Sequence, residues 1–371
     1  MANSPKRVGF VGLSTKGFWS THAHLPYLQK TPRYKITAIQ NSSKESAELA
    51  VKTYSVDGAA TYGDAASLAK DANVDIVAIG VPVPLHYEPA CQAIEAGKDV
   101  FSEWPLARNL AEAEELTRLA KEKGVRTMVG LQARQNPAIM KAREIVVSGK
   151  LGRILGTTLF GHSSAWGPVI PDNLSYSLLI EAGANTLTIP FGHTVDALCY
   201  VLDSELKDIS ATLSNHYPEV QLTDADSKPI RKAKKTAYDY VSISATLVNG
   251  GGNVDVTYAP ALSRSGRDLH WEIIGTEGTL VLEGPKRGGH MQMFQPKIRI
   301  AVGEEELKEV EVEKAAEGDF SFNVGKAWDA WAGIGLDKGQ TVTTWEDAVV
   351  RHKMIEAIYR SAEKGTRENY V

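Results

Sequence analysis

The sequence predicts a two-domain protein: an α/β N-terminal Rossmann fold with a parallel sheet, followed by an α+β C-terminal domain with a mostly antiparallel open sheet. Three observations predict it. The chain has 371 residues, too many for one ordinary core and enough for two. Its first part alternates short β-rich runs with amphipathic helical patterns, as βαβ units do. After Gly152 the apolar period switches to two, with turn residues between the runs.

In the first part, strands are expected at Val8–Leu13, Lys35–Gln40, Val74–Gly80, Asp99–Ser102 and Arg126–Leu131. Helices are expected at Lys44–Tyr54, His86–Ala96 and Leu110–Lys121, the last capped by Asn109 and closed at Gly124. Asn136 and Pro137 open another helix, through about Ser148, that Gly149 stops. The second part reads as strands at Ile154–Gly161, Asp208–Asn215, Tyr238–Val248, Asn253–Tyr258, Leu269–Gly275, Thr279–Glu283 and Lys297–Val302. One helix near His193–Leu202 interrupts them, and a terminal helix runs from about Glu346 to Lys364 with Gly365 just past it. The expected domains are residues 1–133, dinucleotide-binding, and 134–371, for substrate and dimerisation, with the terminal helix free to return to the first. Thr223–Thr236, with five Lys or Arg, reads as an exposed loop.

Hydrophobic residues make up 43% of the chain and charged residues 23%, as in globular proteins. A net charge of -4 argues against general affinity for nucleic acid or anionic membrane. The expected partner is a small molecule or another protein. Cys91 and Cys199 are the only cysteines and both fall in apolar helical patterns, so buried, reduced thiols in a reducing compartment are expected. The N-terminal residues pass from a polar leader into a strand without an apolar signal region. No run reaches the roughly 18 apolar residues of a membrane span. A cytoplasmic location is expected, shared with the nucleus if the protein is a regulator.

The run Gly12-Leu13-Ser14-Thr15-Lys16-Gly17 follows a strand and precedes a helix, where a dinucleotide fingerprint must lie. Gly12 and Gly17 hold the first and third glycine positions; Ser14 replaces the second. Thr15 and Lys16 complete the expected phosphate loop. The tip of the second strand reads Gln40-Asn41-Ser42-Ser43-Lys44, with no acid to bind ribose hydroxyls and repel a 2′-phosphate. Asn41, Ser42, Ser43 and Lys44 therefore favour NADP (NADPH) over NAD as cofactor. Ser42 or Ser43 serving only as a helix cap is compatible with the same residues.

Several further motifs, in order and spanning the chain, resemble the glucose–fructose oxidoreductase/inositol dehydrogenase (Gfo/Idh/MocA) family. They are Val74-Asp-Ile-Val-Ala-Ile-Gly-Val-Pro82, His86-Tyr-Glu-Pro-Ala90, Gly97-Lys-Asp-Val-Phe-Ser-Glu-Trp-Pro-Leu106, Ser148-Gly-Lys-Leu-Gly152, Gly275-Thr-Glu-Gly-Thr-Leu280 and Ser361-Ala-Glu-Lys-Gly365. Gly12-Leu13-Ser14, Glu103-Trp-Pro-Leu-Ala107, Leu131-Gln-Ala-Arg134 and Phe191-Gly-His-Thr-Val-Asp196 are most similar to the branch containing the fungal galactose-regulon repressor. The resemblance implies further cofactor contacts at Val81, Pro82, His86, Glu103, Trp104 and Gln132, and a homodimer built on the open sheet.

The family pattern breaks at two places. Its Glu-Lys-Pro is Glu103-Trp104-Pro105 here, and an indole is no general acid near neutral pH. Its Asp-x-x-x-His keeps His193 but has Ile189 four residues earlier. His193 and Tyr176 are the expected proton-handling residues, with Trp104 and Trp166 as aromatic walls and His162 beside them; His193 as a helix-start residue and the others as packing are the plainer alternatives. His22 and His24 read as surface or packing residues, and no metal site is expected. Two functions follow. One is an NADP-dependent oxidoreductase acting on a carbonyl or alcohol of a sugar-like or secondary metabolite; the other is a catalytically silent NAD(P)-binding regulator with a protein partner.

Overall fold

A computed structural model describes residues 4–316 and 318–371. They form two compact units, the first through Gln132 with Asp319–Val349, the second Ala133–Gly318 with Val350–Val371. The division thus falls within the terminal helix.

The first unit contains β1 (Lys6–Val11), α1 (Leu25–Leu28), β2 (Tyr34–Gln40), α2 (Lys44–Thr53), β3 (Ala60–Tyr62), α3 (Ala65–Ala69), β4 (Ile76–Ile79), α4 (Tyr87–Glu95), β5 (Asp99–Ser102), α5 (Leu110–Lys123) and β6 (Thr127–Val129). Its six strands are all parallel, in the order β3-β2-β1-β4-β5-β6. This is the doubly wound Rossmann order, with its switch point between β1 and β4. Helix starts follow the capping residues: Ser43, Asp64 and Asn109 each accept a backbone N–H from the first turn. Gly124, at φ +66°, closes α5 in the left-handed region. Val8, Phe10, Ile39, Ala78 and Phe101 from the strands pack with Trp328 and Trp331 of a later helix.

The second unit begins with α6 (Pro137–Val147), β7 (Ile154–His162), β8 (Val169–Pro171) and α7 (Gly192–Leu202). It continues through β9 (Leu206–Ser214), β10 (Glu219–Thr223), β11 (Pro229–Lys234), β12 (Tyr240–Leu247), β13 (Asn253–Ala259), β14 (Leu269–Gly275), β15 (Gly278–Glu283), β16 (Lys297–Val302) and β17 (Lys308–Glu309). Two helices complete the chain, α8 (Ser321–Trp331), which carries the two tryptophans, and α9 (Trp345–Lys364). Eight strands form one sheet, β17-β16-β15-β14-β7-β13-β12-β9, in which only the β7–β13 pair is parallel.

Thr223–Thr236 is a correction. It is a hairpin arm, β10 paired with β11, rather than a loop, and with β8 it makes a three-stranded sheet. Its inner face buries only Ile170, Leu178, Val220 and Leu222, while β11 is solvated and cationic, so the sequence shows little apolar alternation there. Both cysteines are free, but Cys91 is half-buried rather than buried. No helix among the described residues is long and apolar enough to cross a membrane.

Candidate functional site

At the end of β1 the chain turns on Gly12, whose φ of +93° lies in the left-handed region. Its N–H donates to Gln40 O at 2.9 Å, and a Cβ would stand 2.7 Å from Val81 Cγ1 and 3.0 Å from Val81 N. The loops after β1 and β4 therefore meet at a position only glycine fits. Ser14 organises the next turn: its Oγ accepts from Lys16 N at 3.2 Å and its carbonyl from Gly17 N at 3.0 Å. Thr15 is half-buried; Lys16 and Gly17 are exposed. The helix that follows opens with a π turn, Ser20–His24, before α1. Ser20 Oγ donates to Gly80 O at 3.0 Å, closing this helix onto the end of β4.

The tip of β2 divides its residues between two tasks. Asn41 is buried, and its Nδ2 donates to Leu13 O at 3.3 Å and Ser46 O at 3.1 Å, binding the glycine loop to α2. Its Oδ1 has no partner. Ser43 caps α2, accepting from Ser46 N at 3.2 Å. Ser42 and Lys44 stay exposed. A dinucleotide fits this set: a left-handed glycine without room for a Cβ, a following helix and an orphaned amide oxygen. Gly12 to Gly17 would hold the pyrophosphate, and Asn41, Ser42 and Lys44 would face the adenosine ribose.

Of the residues after β4 and β5, Val81 is half-buried and Pro82 exposed. His86 is buried, with Nδ1 at 2.9 Å from Pro105 O and Nε2 at 2.8 Å from Val81 O. It is a strut between two loops, and both ring nitrogens are already engaged. Burial lowers its pKa. Trp104 precedes a cis Pro105 and is 4% exposed, so its indole belongs to the packing rather than to an open aromatic floor.

Glu103 carries a relay that the sequence did not announce. Trp328 Nε1 donates to His24 Nδ1 at 3.1 Å, which leaves His24 Nε2 to carry its hydrogen toward Glu103 Oε1 at 2.5 Å. Gln132 is also buried, and neither end of its amide has a partner. A buried polar group left unpaired costs about 1–3 kcal/mol, so this amide marks a place where a ligand's donor and acceptor would be matched.

In the second unit, His193 sits in the first turn of α7, after the π turn Leu187–Phe191 that contains Pro190. It is buried and its Nδ1 has no partner. Burial, with a smaller contribution from His290, pushes its pKa down to about 3, so its imidazolium form is not populated at neutral pH. Asp196, one turn further along, is fully buried and accepts a bidentate pair from Arg134, Nε to Oδ2 at 2.9 Å and Nη2 to Oδ1 at 2.6 Å. The motifs at 131–134 and 191–196 are thus joined by one ion pair that orients α7.

Tyr176 lies in the 3-10 segment Asp172–Leu178; burial raises its pKa, and its hydroxyl bonds no described residue. Trp166 Nε1 donates to Ser177 Oγ at 3.0 Å. His162 Nδ1 faces Ala261 O at 3.0 Å, so that ring is held as packing. Sequence reasoning missed His290, whose Gly288-Gly-His-Met context carries no periodic signal. Among the described residues no group of three or more His, Cys, Asp or Glu could hold a metal.

This geometry defines a Rossmann-fold dinucleotide-binding protein of the oxidoreductase type with an α+β second unit. Residues 6–131 match the family model described as "Oxidoreductase family, NAD-binding Rossmann fold", and 137–284 match that of the Gal80p C-terminal domain. The chain is 35% identical to dehydrogenase aclE of Aspergillus oryzae, over 98% of each. It is 27% identical to the galactose/lactose metabolism regulatory protein GAL80 of Saccharomyces cerevisiae, over 99% of this chain and 94% of the relative. A super-repressor mutant of yeast Gal80p superposes with a TM-score of 0.91 at 26% identity, over 99% of this chain and 98% of that one. The protein belongs to the Gfo/Idh/MocA oxidoreductase family, whose members include both dehydrogenases and Gal80.

Proposed function

We propose that this protein is an NADP-dependent oxidoreductase acting on the carbonyl, or the corresponding alcohol, of a sugar-like or secondary metabolite. The observation that carries the proposal is the unpartnered Nδ1 of buried His193, a polar group that a ligand would satisfy. The full-length similarity to a dehydrogenase supports it.

A nicotinamide held by the first unit would supply the hydride to the carbonyl, or accept it from the alcohol. What this chain supplies is orientation and a proton. His193 serves as a neutral hydrogen-bonding imidazole, because burial removes its charged form. Tyr176 keeps its phenolic proton at neutral pH and has its hydroxyl free of described partners, so it is the donor to an alkoxide. The acid-free tip at Asn41 to Lys44 supports NADP over NAD. Assembly as a homodimer and a cytoplasmic location belong to the same proposal.

A second reading has its own observation. The family's lysine and aspartate positions hold Trp104 and Ile189, which favours a silent cofactor-binding regulator with a protein partner, present also in the nucleus. Single-turnover oxidation of bound NADPH across a panel of neutral carbonyl compounds separates the two. Turnover that falls about a hundredfold in Tyr176→Phe supports the enzyme; NADPH binding with no oxidation across the panel supports the regulator.

A further inference from the structure

The second unit exposes two patches of opposite charge. The first is a knot of two loops, 260–268 between β13 and β14 and 284–288 after β15. Buried Asp268 ties them, its carboxylate accepting Ser263 N at 2.8 Å and Arg287 N at 2.7 Å. A Cβ on Gly266 would stand 4.0 Å from Lys286 Cγ, so the loops lie against each other. Ala261 and Arg287 hold φ of 56° and 67°, left-handed values on residues that have side chains, and strain of this kind gathers where a contact is positioned. Asp268 is the knot's only acid, and backbone N–H groups occupy it. Arg264, Arg267, Lys286 and Arg287 are all exposed, and none of them forms an ion pair among the described residues.

The second patch is the open edge of the eight-stranded sheet. Beyond β16 the chain returns along that edge as β17, with Ile300 opposite Lys308 and Arg299 opposite Glu309, and Val310 N donates to Ile298 O at 2.9 Å. Val310 and Val312 are half-buried, whereas Glu304, Glu305, Glu306, Glu309, Glu311 and Glu313 are exposed, with exposed Leu307 among them. Lys308 reaches Glu305 at 3.1 Å; Glu304, Glu306, Glu309 and Glu311 have no cationic partner among the described residues. Gln295 joins this edge to the knot, because it stands on the same connection from β15 to β16 as Lys286 and Arg287. Its Nε2 donates to Glu313 O at 2.7 Å, and its Oε1 accepts Ala315 N at 2.9 Å. Both patches therefore belong to one compact unit and adjoin.

Charged side chains on an edge strand keep it in water, which would account for the glutamates alone. It does not account for an uncompensated cationic knot beside them in a chain of net charge -4. Adjoining patches of opposite sign are self-complementary: a two-fold axis between them sets the knot of each copy on the edge of the other and makes the contact twice. We propose that the second unit docks a second copy of this chain in this way, Arg264, Arg267, Lys286 and Arg287 of one copy meeting the glutamates at 304–311 of the other. The contact uses loop tips and a sheet edge, apart from the open face of the sheet, and it does not depend on the oxidoreductase reading.

Charge exchange in the full chain tests it. One variant reverses the knot with Arg264→Glu, Arg267→Glu and Lys286→Glu; the other reverses the edge with Glu306→Lys, Glu309→Lys and Glu311→Lys. All these positions are exposed, and circular dichroism checks the fold. Sedimentation equilibrium of the wild type should show an association that weakens about tenfold or more between about 0.1 M and about 1 M salt, as the screening length falls from about 10 Å to about 3 Å. Each variant alone should lose this salt-sensitive step. An equimolar mixture of the two should regain it, because both contacts of the mixed pair again join opposite charges. A dimer that salt does not dissociate persists in every sample and leaves this readout intact. In the wild type, carbodiimide coupling of mixed nitrogen-14 and nitrogen-15 chains should give hybrid peptides that join Lys286 to glutamates at 304–313. Absence of a salt-sensitive step in the wild type, a mixture that does not regain it, or hybrid peptides that bypass Lys286 overturns the proposal. So does a wild type without that step whose knot binds a short polyglutamate peptide, which would assign the knot to a foreign acidic chain.

Discussion

Acid should destabilise the second unit well above the pH at which carboxylates protonate. His193 and His352 are buried with pKa values pushed down to about 3, and His290 to about 4, in each case chiefly by burial. All three lie in the second unit. A histidine depressed in the fold binds its proton more readily when unfolded, at about pH 6.5. Its contribution is therefore complete above that pH and is lost as the pH falls toward the folded value. Each such group changes stability by at most about 1.4 kcal/mol per pH unit. Three groups between pH 7 and pH 5 sum to a loss of about 6 kcal/mol, against a total of roughly 5–15 kcal/mol for a typical domain.

Carboxylates do not confuse this window. Asp75, held at about 2 by the Arg7 guanidinium, keeps its contribution until the pH falls below the ordinary carboxylate range. The assay is urea unfolding at half-unit intervals of pH and constant ionic strength, followed by far-ultraviolet circular dichroism. The acid-sensitive transition should belong to the second unit, and His352→Gln should remove about a third of its slope. A free energy of unfolding that stays within about 1 kcal/mol from pH 7 to pH 5 would refute the reasoning, since it would mean these rings are solvated or already protonated in the fold.

Three further outcomes are expected. Gly12→Val should abolish NADPH binding and cost about 2–5 kcal/mol, from a side chain at φ +93° and the 2.7 Å approach to Val81; calorimetry with a parallel urea curve checks both, and retained binding would place the dinucleotide elsewhere. Ser42→Asp, at an exposed position where the proposed adenosine ribose would lie, should weaken NADPH about tenfold or more and NADH little; equal losses for the two would argue against a 2′-phosphate there. Trp104→Lys should lower stability by several kcal/mol without raising turnover, because it places an ammonium where a 4% exposed indole now packs; a large gain in rate would show a standard family site needing only its lysine.

The fold was legible because its signals are local. Asn109 and Gly124 mark both ends of α5, and the alternation from Tyr240 to Leu247 reflects burial on one face of β12. β8 and β11 were not legible, since a three-residue strand and a solvated cationic edge leave no periodic trace. At the site, Gly12 could be read because its left-handed turn excludes every other residue. The use made of Asn41 could not. Its amide binds Leu13 and Ser46, so Asn41→Asp would set a carboxylate against two carbonyls and disturb either coenzyme. The exposed Ser42 is the cleaner place to test coenzyme choice. His24, Glu103 and Trp328 are joined from positions up to 304 residues apart, which no spacing rule connects.

What sets this chain apart from the family pattern is the removal of fixed charge. Trp104 stands in the lysine position and Ile189 in the aspartate position, and His193, His290 and His352 of the second unit are held neutral by burial. Loss by simple decay would leave buried ionisable groups stranded, each at a cost of several kcal/mol. The replacements are instead apolar, and Trp104 is packed to 4% exposure. Meanwhile Asp196 and Arg134 keep a bidentate ion pair that orients α7, and strained backbone is maintained around His290. A fold that only had to hold a dinucleotide would gain stability by relaxing those loops and filling the unpartnered Nδ1 of His193. The unpartnered Nδ1 of buried His193 is the observation on which the proposed oxidoreductase reading of this unit rests.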